Sequence, residues 1–222
     1  MNEFIKRRES SKIHAGKLSI GGGAPISVQS MTNIPIEETE RTIAQIKQLE
    51  SLGADMVRLA VRNEKGIEPL KKIIKSVNIP LVADIHFDYR LAVAAIEAGI
   101  SKVRINPGNI GESWKVEEVV IAAQDRNIPI RIGVNGGSIN RKKYSHPTPE
   151  ALVDSALENI RILEDLNYTN IAVSIKSSDI FATIEANQII AETRNYPIHI
   201  GLTEAGYGLN CTVQSSIVIG HL

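Results

Sequence analysis

The sequence predicts an α/β fold, a (β/α)8 barrel of the TIM type that stops after its seventh strand–helix unit. Short apolar runs alternate with longer segments of helical period, which is the pattern of a parallel sheet covered by helices. Seven such units fill the 222 residues, whereas a complete barrel needs about 250 residues. An eighth strand would have to follow Leu222. A doubly wound sheet is the alternative arrangement of the same units.

Seven apolar runs are predicted to be strands. They are Ile26–Gln29, Met56–Leu59, Leu81–Asp84, Lys102–Ile105, Ile130–Val134, Ile171–Ile175 and Ile198–Leu202. Pro80, Pro129 and Pro197 each stand before a strand, where proline ends a helix and begins extended chain. Before the first strand, Lys12–Ile20 predicts a small hairpin. The triplet Gly21–Gly23 that follows is interpreted as a turn, because it lacks the Lys-Ser/Thr ending of a phosphate-binding loop.

Six helices are predicted between the strands from their apolar stripes. They lie near Glu37–Leu52, Ile67–Val77, Asp88–Ala98, Ser113–Arg126, Pro149–Leu166 and Phe181–Thr193. Asp88 and Thr148 are predicted N-caps, and Pro149 occupies the favoured first helical position.

The composition indicates a cytoplasmic globular domain. Hydrophobic residues make up 43%, and Lys+Arg and Asp+Glu are both 25, so no overall charge favours nucleic acid or a membrane surface. The basic start, Met1–Lys12, is not followed by an apolar core and does not indicate a secretory signal. The single cysteine, Cys211, excludes an internal disulfide and any Cys-only metal site.

Cations and amides recur where the predicted strands end. Because side chains alternate along a strand, Arg104 shares a face with Asn106, and Arg131 shares one with Asn135. Chemistry in such barrels lies at the carboxyl ends of the strands. With Arg58 and Lys176 at the ends of two further strands, four cations would converge at the barrel mouth. Any single arginine could instead be a structural ion pair, but four together predict a small, highly charged anion, with a diphosphate as the best physical match.

Four other polar residues lie at strand ends. Asp84 ends the third strand and His86 follows it, and Thr203 and Glu204 follow the seventh. Glu204 could balance the charge of Lys176 or exchange a proton with a ligand. His86 could be a general acid or a structural histidine.

Six segments in order along the chain resemble the bacterial 4-hydroxy-3-methylbut-2-enyl diphosphate synthase family. They are Ala24–Asn33, Pro80–Arg90, Arg104–Gly111, Pro129–Asn135, Pro147–Leu152 and Thr203–Gly206. The resemblance implies a barrel that binds 2-C-methyl-D-erythritol 2,4-cyclodiphosphate in the non-mevalonate isoprenoid pathway. It implies reductive ring opening and dehydroxylation with two electrons from flavodoxin or ferredoxin, a [4Fe–4S] cluster in a C-terminal domain, and a homodimer.

The resemblance also implies roles for individual residues. The expected substrate-binding residues are Arg58, Arg104, Asn106, Arg131, Asn135, Lys176 and Thr203, and the expected catalytic residues are Glu204, His86 and Asp84. The family's Cys-Pro-x-Cys pair is missing, so residues 1–222 are expected to form only the incomplete barrel, with the hairpin in about 1–25, no metal ligands of their own and no activity alone.

Alternative interpretations remain open from the sequence. One is a non-catalytic phosphate-ligand-binding barrel, and another is the remnant of a degraded enzyme. A pterin-binding barrel of the dihydropteroate synthase type would share the architecture, but the six segments fit it poorly. An unfinished barrel would also leave two sheet edges unpaired, which predicts marginal stability or association of the isolated chain.

Overall fold

The computed structural model describes residues 7–222, and predictions that concern residues 1–6 lie outside this range. The eight strands are β1 (Lys12–Ala15), β2 (Leu18–Gly21), β3 (Gln29–Met31), β4 (Met56–Ala60), β5 (Leu81–Asp84), β6 (Lys102–Ile105), β7 (Ile130–Asn135) and β8 (Ile171–Lys176). The eight α-helices are α1 (Thr39–Ser51), α2 (Ile67–Ser76), α3 (Tyr89–Glu97), α4 (Pro107–Ile110), α5 (Ser113–Asp125), α6 (Pro149–Asp165), α7 (Ile180–Thr193) and α8 (Gly208–His221). None of these helices is long and apolar enough to cross a membrane.

Strands β3 to β8 form one parallel sheet in which each strand lies beside the next in chain order. Alternate residues of the strands, such as Leu59, Ile105 and Ile132, are buried in the main hydrophobic core with the apolar stripes of the helices. The sheet therefore curls with its helices outside and its other face inside, as the barrel prediction requires. The carboxyl ends of all six strands lie at one end of the curled sheet, which we call the mouth.

The predicted hairpin is present as the antiparallel pair β1–β2. Ala15 of the hairpin is buried with Met56 and Val82, and Leu18 and Ile20 pack against this small cluster. Because Met56 begins β4 and Val82 lies early in β5, the hairpin covers the amino-terminal end of the sheet, opposite the mouth.

The predicted helix ends are largely confirmed by their capping contacts. The side chain of Asp88 accepts a hydrogen bond from Arg90 N at 3.0 Å, and Thr148 Oγ1 accepts one from Ala151 N at 3.2 Å. Pro149 is the first residue of α6. Two helices were not predicted, the short α4 and the C-terminal α8.

Two strand predictions were wrong. The first strand of the parallel sheet, β3, is Gln29–Met31 rather than the predicted Ile26–Gln29. Val28 is outside it because its N donates to the Asp55 carboxylate at 2.7 Å. The segment Ile198–Leu202 is not a strand but makes a single parallel bridge, from Ile198 to Val173. A strand needs a repeated ladder of hydrogen bonds, and 198–202 follows β8 only through isolated bonds such as His199 N to Val173 O.

Candidate anion-binding site

The inner face of the sheet carries a central carboxylate, Asp84, surrounded by cations. Asp84 is aligned with Arg104 on β6, and Arg104 is aligned with Arg131 on β7. Arg104 Nη1 donates to Asp84 Oδ1 at 3.1 Å, and Arg58 Nε lies 3.7 Å from Asp84 Oδ2. The strand register thus brings together three of the predicted arginines and one predicted carboxylate.

Arg104 and Arg58 are each held by a second contact. Arg104 Nη2 donates to the carbonyl of Gly133 at 3.0 Å, and Arg58 Nη2 lies 2.7 Å from the Met31 sulfur. Burial lowers the pKa of Arg58, while Asp84 acts against that shift. Both guanidinium groups are therefore held in fixed positions.

Arg131 is the most deeply buried cation of the site. Only 1% of its surface is exposed, and its Nε and Nη1 atoms find no hydrogen-bond partner among residues 7–222. Burial, followed by repulsion from Arg58 and Arg104, lowers its pKa to about 9. Buried polar groups are normally paired, so Nε and Nη1 of this guanidinium are available to donate hydrogen bonds to an anion.

Lys176 lies at the mouth end of β8, and an ion pair with Glu204 was one of the two roles considered for that glutamate. Within the described part of the chain no ion pair joins these two residues, and Lys176 Nζ instead lies 3.2 Å from His199 Nε2. Burial, with added repulsion from Arg131, lowers the Lys176 pKa to about 7. The pKa of His199 lies well below its ordinary value, mainly because the ring is buried. The charge-balancing role considered for Glu204 is therefore not observed.

Two residues of this site, Lys102 and His199, were not predicted from the sequence. Lys102 is only 2% exposed, and its Nζ lies 3.1 Å from the sulfur of Met56. Burial and repulsion from Arg131 lower its pKa to about 7. Because Lys102 lies two positions before Arg104 on the same strand, alternation along the strand could have found it.

We call five cations of the inner face the cation ring. Its members are Arg58, Lys102, Arg104, Arg131 and Lys176. Asp84 is the only carboxylate that forms an ion pair with any of them among residues 7–222.

The two predicted asparagines shape loops at the mouth. Asn106 Oδ1 accepts from Gly108 N at 3.2 Å, where Asn159 Oδ1 also accepts at 2.7 Å. Asn135 Oδ1 accepts from Gly137 N at 2.9 Å. Because these side-chain oxygens are engaged by the loops, the amide nitrogens of the two asparagines are the groups left for a ligand.

The remaining predicted site residues lie at the edge of the mouth. His86 Nε2 is 3.4 Å from Asp84 Oδ2, and about half of the imidazole is exposed. Thr203 N donates to Ser177 O at 3.2 Å, which holds its segment beside β8. Glu204 is exposed and adopts a left-handed backbone with φ of 55°. These three groups are accessible to a ligand that enters from solvent.

A surface cleft of about 480 Å³ lies away from the cation ring. It is lined by hairpin residues such as Lys12 and His14 and by residues that precede strands, such as Asn127 and Asn170. Those residues belong to the amino-terminal end of the sheet. Chemistry in barrels concentrates at the opposite end, so we base the functional assignment on the charged inner face.

The family assignment agrees with this geometry. The family model for the GcpE TIM-barrel domain matches residues 10–222. The chain belongs to this family.

The similar curated proteins are named 4-hydroxy-3-methylbut-2-en-1-yl diphosphate synthase (flavodoxin). The protein from Haemophilus influenzae (strain PittEE) is 51% identical over 98% of this chain and 64% of its own length. The one from Clostridium perfringens is 50% identical over 98% of this chain and 63% of its own length. The chain of this GcpE-family domain therefore spans somewhat less than two thirds of the length of these relatives.

Solved structures show the fold. The phospho-2-dehydro-3-deoxyheptonate aldolase of Thermotoga maritima matches with a TM-score of 0.66 and 16% identity, over 96% of this chain and 62% of that one. The Yersinia pestis dihydropteroate synthase matches with a TM-score of 0.64 and 11% identity, over 95% and 84% of the two chains. At such low identity these matches establish the TIM-barrel architecture of the GcpE domain and nothing about its ligand.

The iron–sulfur cluster that the family resemblance implies does not fit the residues present. A [4Fe–4S] cluster is held mainly by cysteine thiolates, and this sequence has one cysteine. Across residues 7–222 there is also no group of three or more His, Cys, Asp and Glu side chains that could hold a metal ion. Any chemistry within this GcpE domain therefore comes from its own side chains alone.

Proposed function

We propose that this domain binds 2-C-methyl-D-erythritol 2,4-cyclodiphosphate in the cation ring, as the substrate-binding barrel of a 4-hydroxy-3-methylbut-2-enyl diphosphate synthase. The observation that carries the proposal is the wholly buried Arg131, whose Nε and Nη1 lack partners among the described residues. A buried, unpaired cation costs free energy, which a bound anion would recover. The names of the curated relatives support the same substrate class.

The charge of the inner face suits a compact diphosphate. Five cations are opposed by Asp84, which is already engaged by Arg58 and Arg104. Each phosphorus of the cyclodiphosphate carries one negative charge near neutral pH. Guanidinium forks bind such phosphate oxygens in a bidentate manner, while lysine acts as a point charge.

Separate roles follow for the other residues at the mouth. Asp84 would orient Arg58 and Arg104, while the amides of Asn106 and Asn135 and the hydroxyl of Thr203 would bind oxygens of the ligand. His86 and Glu204 are exposed at the mouth, so either could exchange a proton with a bound ligand.

The overall reaction in this proposal opens the cyclodiphosphate ring and removes a hydroxyl group with two electrons. An iron–sulfur cluster held by ligands outside this chain would supply that reduction. Flavodoxin or ferredoxin would deliver the electrons. The same proposal takes a homodimer as the assembled enzyme and the cytoplasm as its location. No step of the reduction is assigned to a residue of this domain.

Binding of the cyclodiphosphate, measured by titration calorimetry, tests the substrate assignment. Arg131→Met should weaken binding at least about tenfold, because charged hydrogen bonds contribute about 1.5–3 kcal/mol each. Arg126→Met, at the exposed end of α5, is the matched control and should bind like the wild type. Equal affinities of the two variants would contradict the assignment of the cation ring.

The catalytic role of Glu204 needs a turnover assay in the full enzyme. Glu204→Gln should reduce turnover more than it reduces substrate binding, because the amide cannot exchange a proton. Normal turnover of this variant would remove Glu204 from the mechanism.

A second candidate is a phosphate-ligand-binding barrel without redox activity, because the buried cations of the ring would bind a phosphate ligand whether or not it is then reduced. Iron analysis of the protein purified anaerobically from its native source separates the two candidates. About four irons per chain would support the synthase. Cyclodiphosphate binding without iron would support the binding protein.

A further inference from the structure

His199 and Lys176 form a polar contact at the inner face of the sheet. His199 Nε2 lies 3.2 Å from Lys176 Nζ, and lysine nitrogen is the donor in such a pair when it carries its proton. His199 Nε2 must then be unprotonated, with the ring proton on Nδ1. The contact with a charged Lys176 amine therefore requires a neutral histidine.

The surroundings keep this histidine neutral. The charged groups of the inner face are Arg58 on β4, Asp84 on β5, Lys102 and Arg104 on β6, and Arg131 on β7, and the four cations among them act on the pair. Asp84, the one carboxylate of this set, is already engaged by two arginines and His86. Burial and these cations hold the pKa of His199 well below its ordinary value and lower that of Lys176 to about 7.

Gly201 leaves room for the lysine amine beside the histidine. A Cβ atom at residue 201 would lie 2.9 Å from Lys176 Nζ, closer than such contacts allow. Gly201 lies two positions beyond His199 on the segment that runs beside β8. This segment therefore places an acceptor, His199 Nε2, beside the charged form of the amine and leaves space for it.

We infer that His199 is a positioning residue that holds the Lys176 amine at the cation ring, and that Lys176 takes up a proton when the cyclodiphosphate binds. The inference rests on the proposed substrate. A lysine of the ring suits this role better than an arginine, because arginine keeps its proton near neutral pH. A bound polyanion would offset the repulsion that disfavours the charged lysine.

Lys102 is the competing proton acceptor, because its pKa is also lowered to about 7. Its Nζ contacts the Met56 sulfur, at the end of the sheet covered by the hairpin. Lys176 lies at the mouth end of β8, where the anion enters. The inference therefore assigns the proton to Lys176.

Calorimetric titration of the cyclodiphosphate in two buffers of different ionisation enthalpy measures the proton uptake. Each phosphorus of this ligand has no second ionisable oxygen, so the ligand does not titrate near neutral pH. For a lysine whose pKa rises from about 7 to its ordinary value, uptake should be roughly 0.9 proton at pH 8 and roughly 0.1 at pH 6.

Four variants assign the proton and the positioning role. Lys176→Met should abolish the uptake, whereas Lys102→Met should retain it. His199→Phe removes the acceptor and should weaken binding about tenfold. His199→Gln supplies a neutral acceptor without a titrating ring, so it should keep both the uptake and an affinity within about threefold of the wild type.

The possible results separate this inference from the proposed function. Binding without proton uptake in the wild type at pH 8, which needs no variant, overturns the inference and leaves the proposed function standing. Absence of binding at every pH overturns both. Uptake that survives in Lys176→Met or disappears in Lys102→Met also overturns the inference, as does wild-type affinity of a cooperatively folded His199→Phe.

Discussion

The guanidinium of Arg104 lies directly against the backbone of Gly133 on the neighbouring strand. Arg104 Nη2 donates to the Gly133 carbonyl at 3.0 Å, and a Cβ atom on Gly133 would lie 2.2 Å from Arg104 Nε. Only glycine leaves space for this arrangement, so a backbone position on β7 determines where a cation of β6 lies.

Gly133→Ala should therefore displace Arg104 and weaken cyclodiphosphate binding about tenfold, the scale of a lost charged hydrogen bond. Titration calorimetry measures the loss. Gly220→Ala is the control, since nothing lies within 4 Å of a Cβ at that helical position. Equal affinity of the Gly133→Ala and Gly220→Ala variants would show that the position of Arg104 is unimportant for binding.

Asp84→Asn should destabilise the free protein by roughly 3 kcal/mol. Asp84 is 3% exposed and provides the negative charge next to Arg58 and Arg104, and removing one partner of a buried ion pair leaves uncompensated charge. Urea unfolding measures the change. Glu68→Gln breaks an exposed pair with Lys71 and should leave the unfolding midpoint almost unchanged. A similar midpoint for both variants would contradict this account of Asp84.

The free energy of unfolding of the ligand-free protein should rise as the pH rises from about 7.5 to 9. Lys102 and Lys176 have pKa values of about 7 in the folded protein and 10.5 ordinarily. Between those values the unfolded chain binds more protons, so stability increases with pH by up to about 1.4 kcal/mol per pH unit for each lysine. Urea titrations at several pH values measure this slope. A flat or falling profile would contradict the two lowered pKa values.

Lys102→Met should stabilise the free protein by about 1–3 kcal/mol at pH 7, because an apolar side chain replaces a buried cation beside Met56. The variant should also lose roughly half of the pH slope predicted above. Lys47→Met, on the exposed face of α1, controls for the general effect of removing a lysine. A Lys102→Met variant less stable than the wild type would indicate that Lys102 makes a favourable polar interaction inside the barrel.

Local sequence signals predicted the helices well because their causes are local. Asp88 and Thr148 cap their helices with contacts only two or three residues away, and such contacts are visible in the sequence. The strand predictions were weaker where the pairing partner determines whether a strand forms. Ile198–Leu202 has the apolar pattern of a strand, yet it pairs with β8 at a single bridge.

The candidate site shows the same division. The positions of Arg58, Arg104, Arg131 and Lys176 at strand ends, and hence a ring of cations, followed from alternation along each strand. His199 was not predicted because residues 198–202 were expected to form a regular strand, and the sequence does not show which of them faces inward. The pairing of Lys176 with His199 rather than with Glu204 depends on where that segment lies, which no local pattern specifies.

The sequence by itself determined the barrel class, most of the helix limits and the presence of a cation-lined site. These depend on the periodicity of apolar residues and on alternation within single strands. Only the tertiary structure decided that Asp84 pairs with both Arg58 and Arg104, that Arg131 is buried without a partner for Nε and Nη1 among residues 7–222, and that Lys102 belongs to the ring. The physical reason is that burial and charge interactions arise between strands far apart in the chain. The register of those strands is set only when the sheet forms.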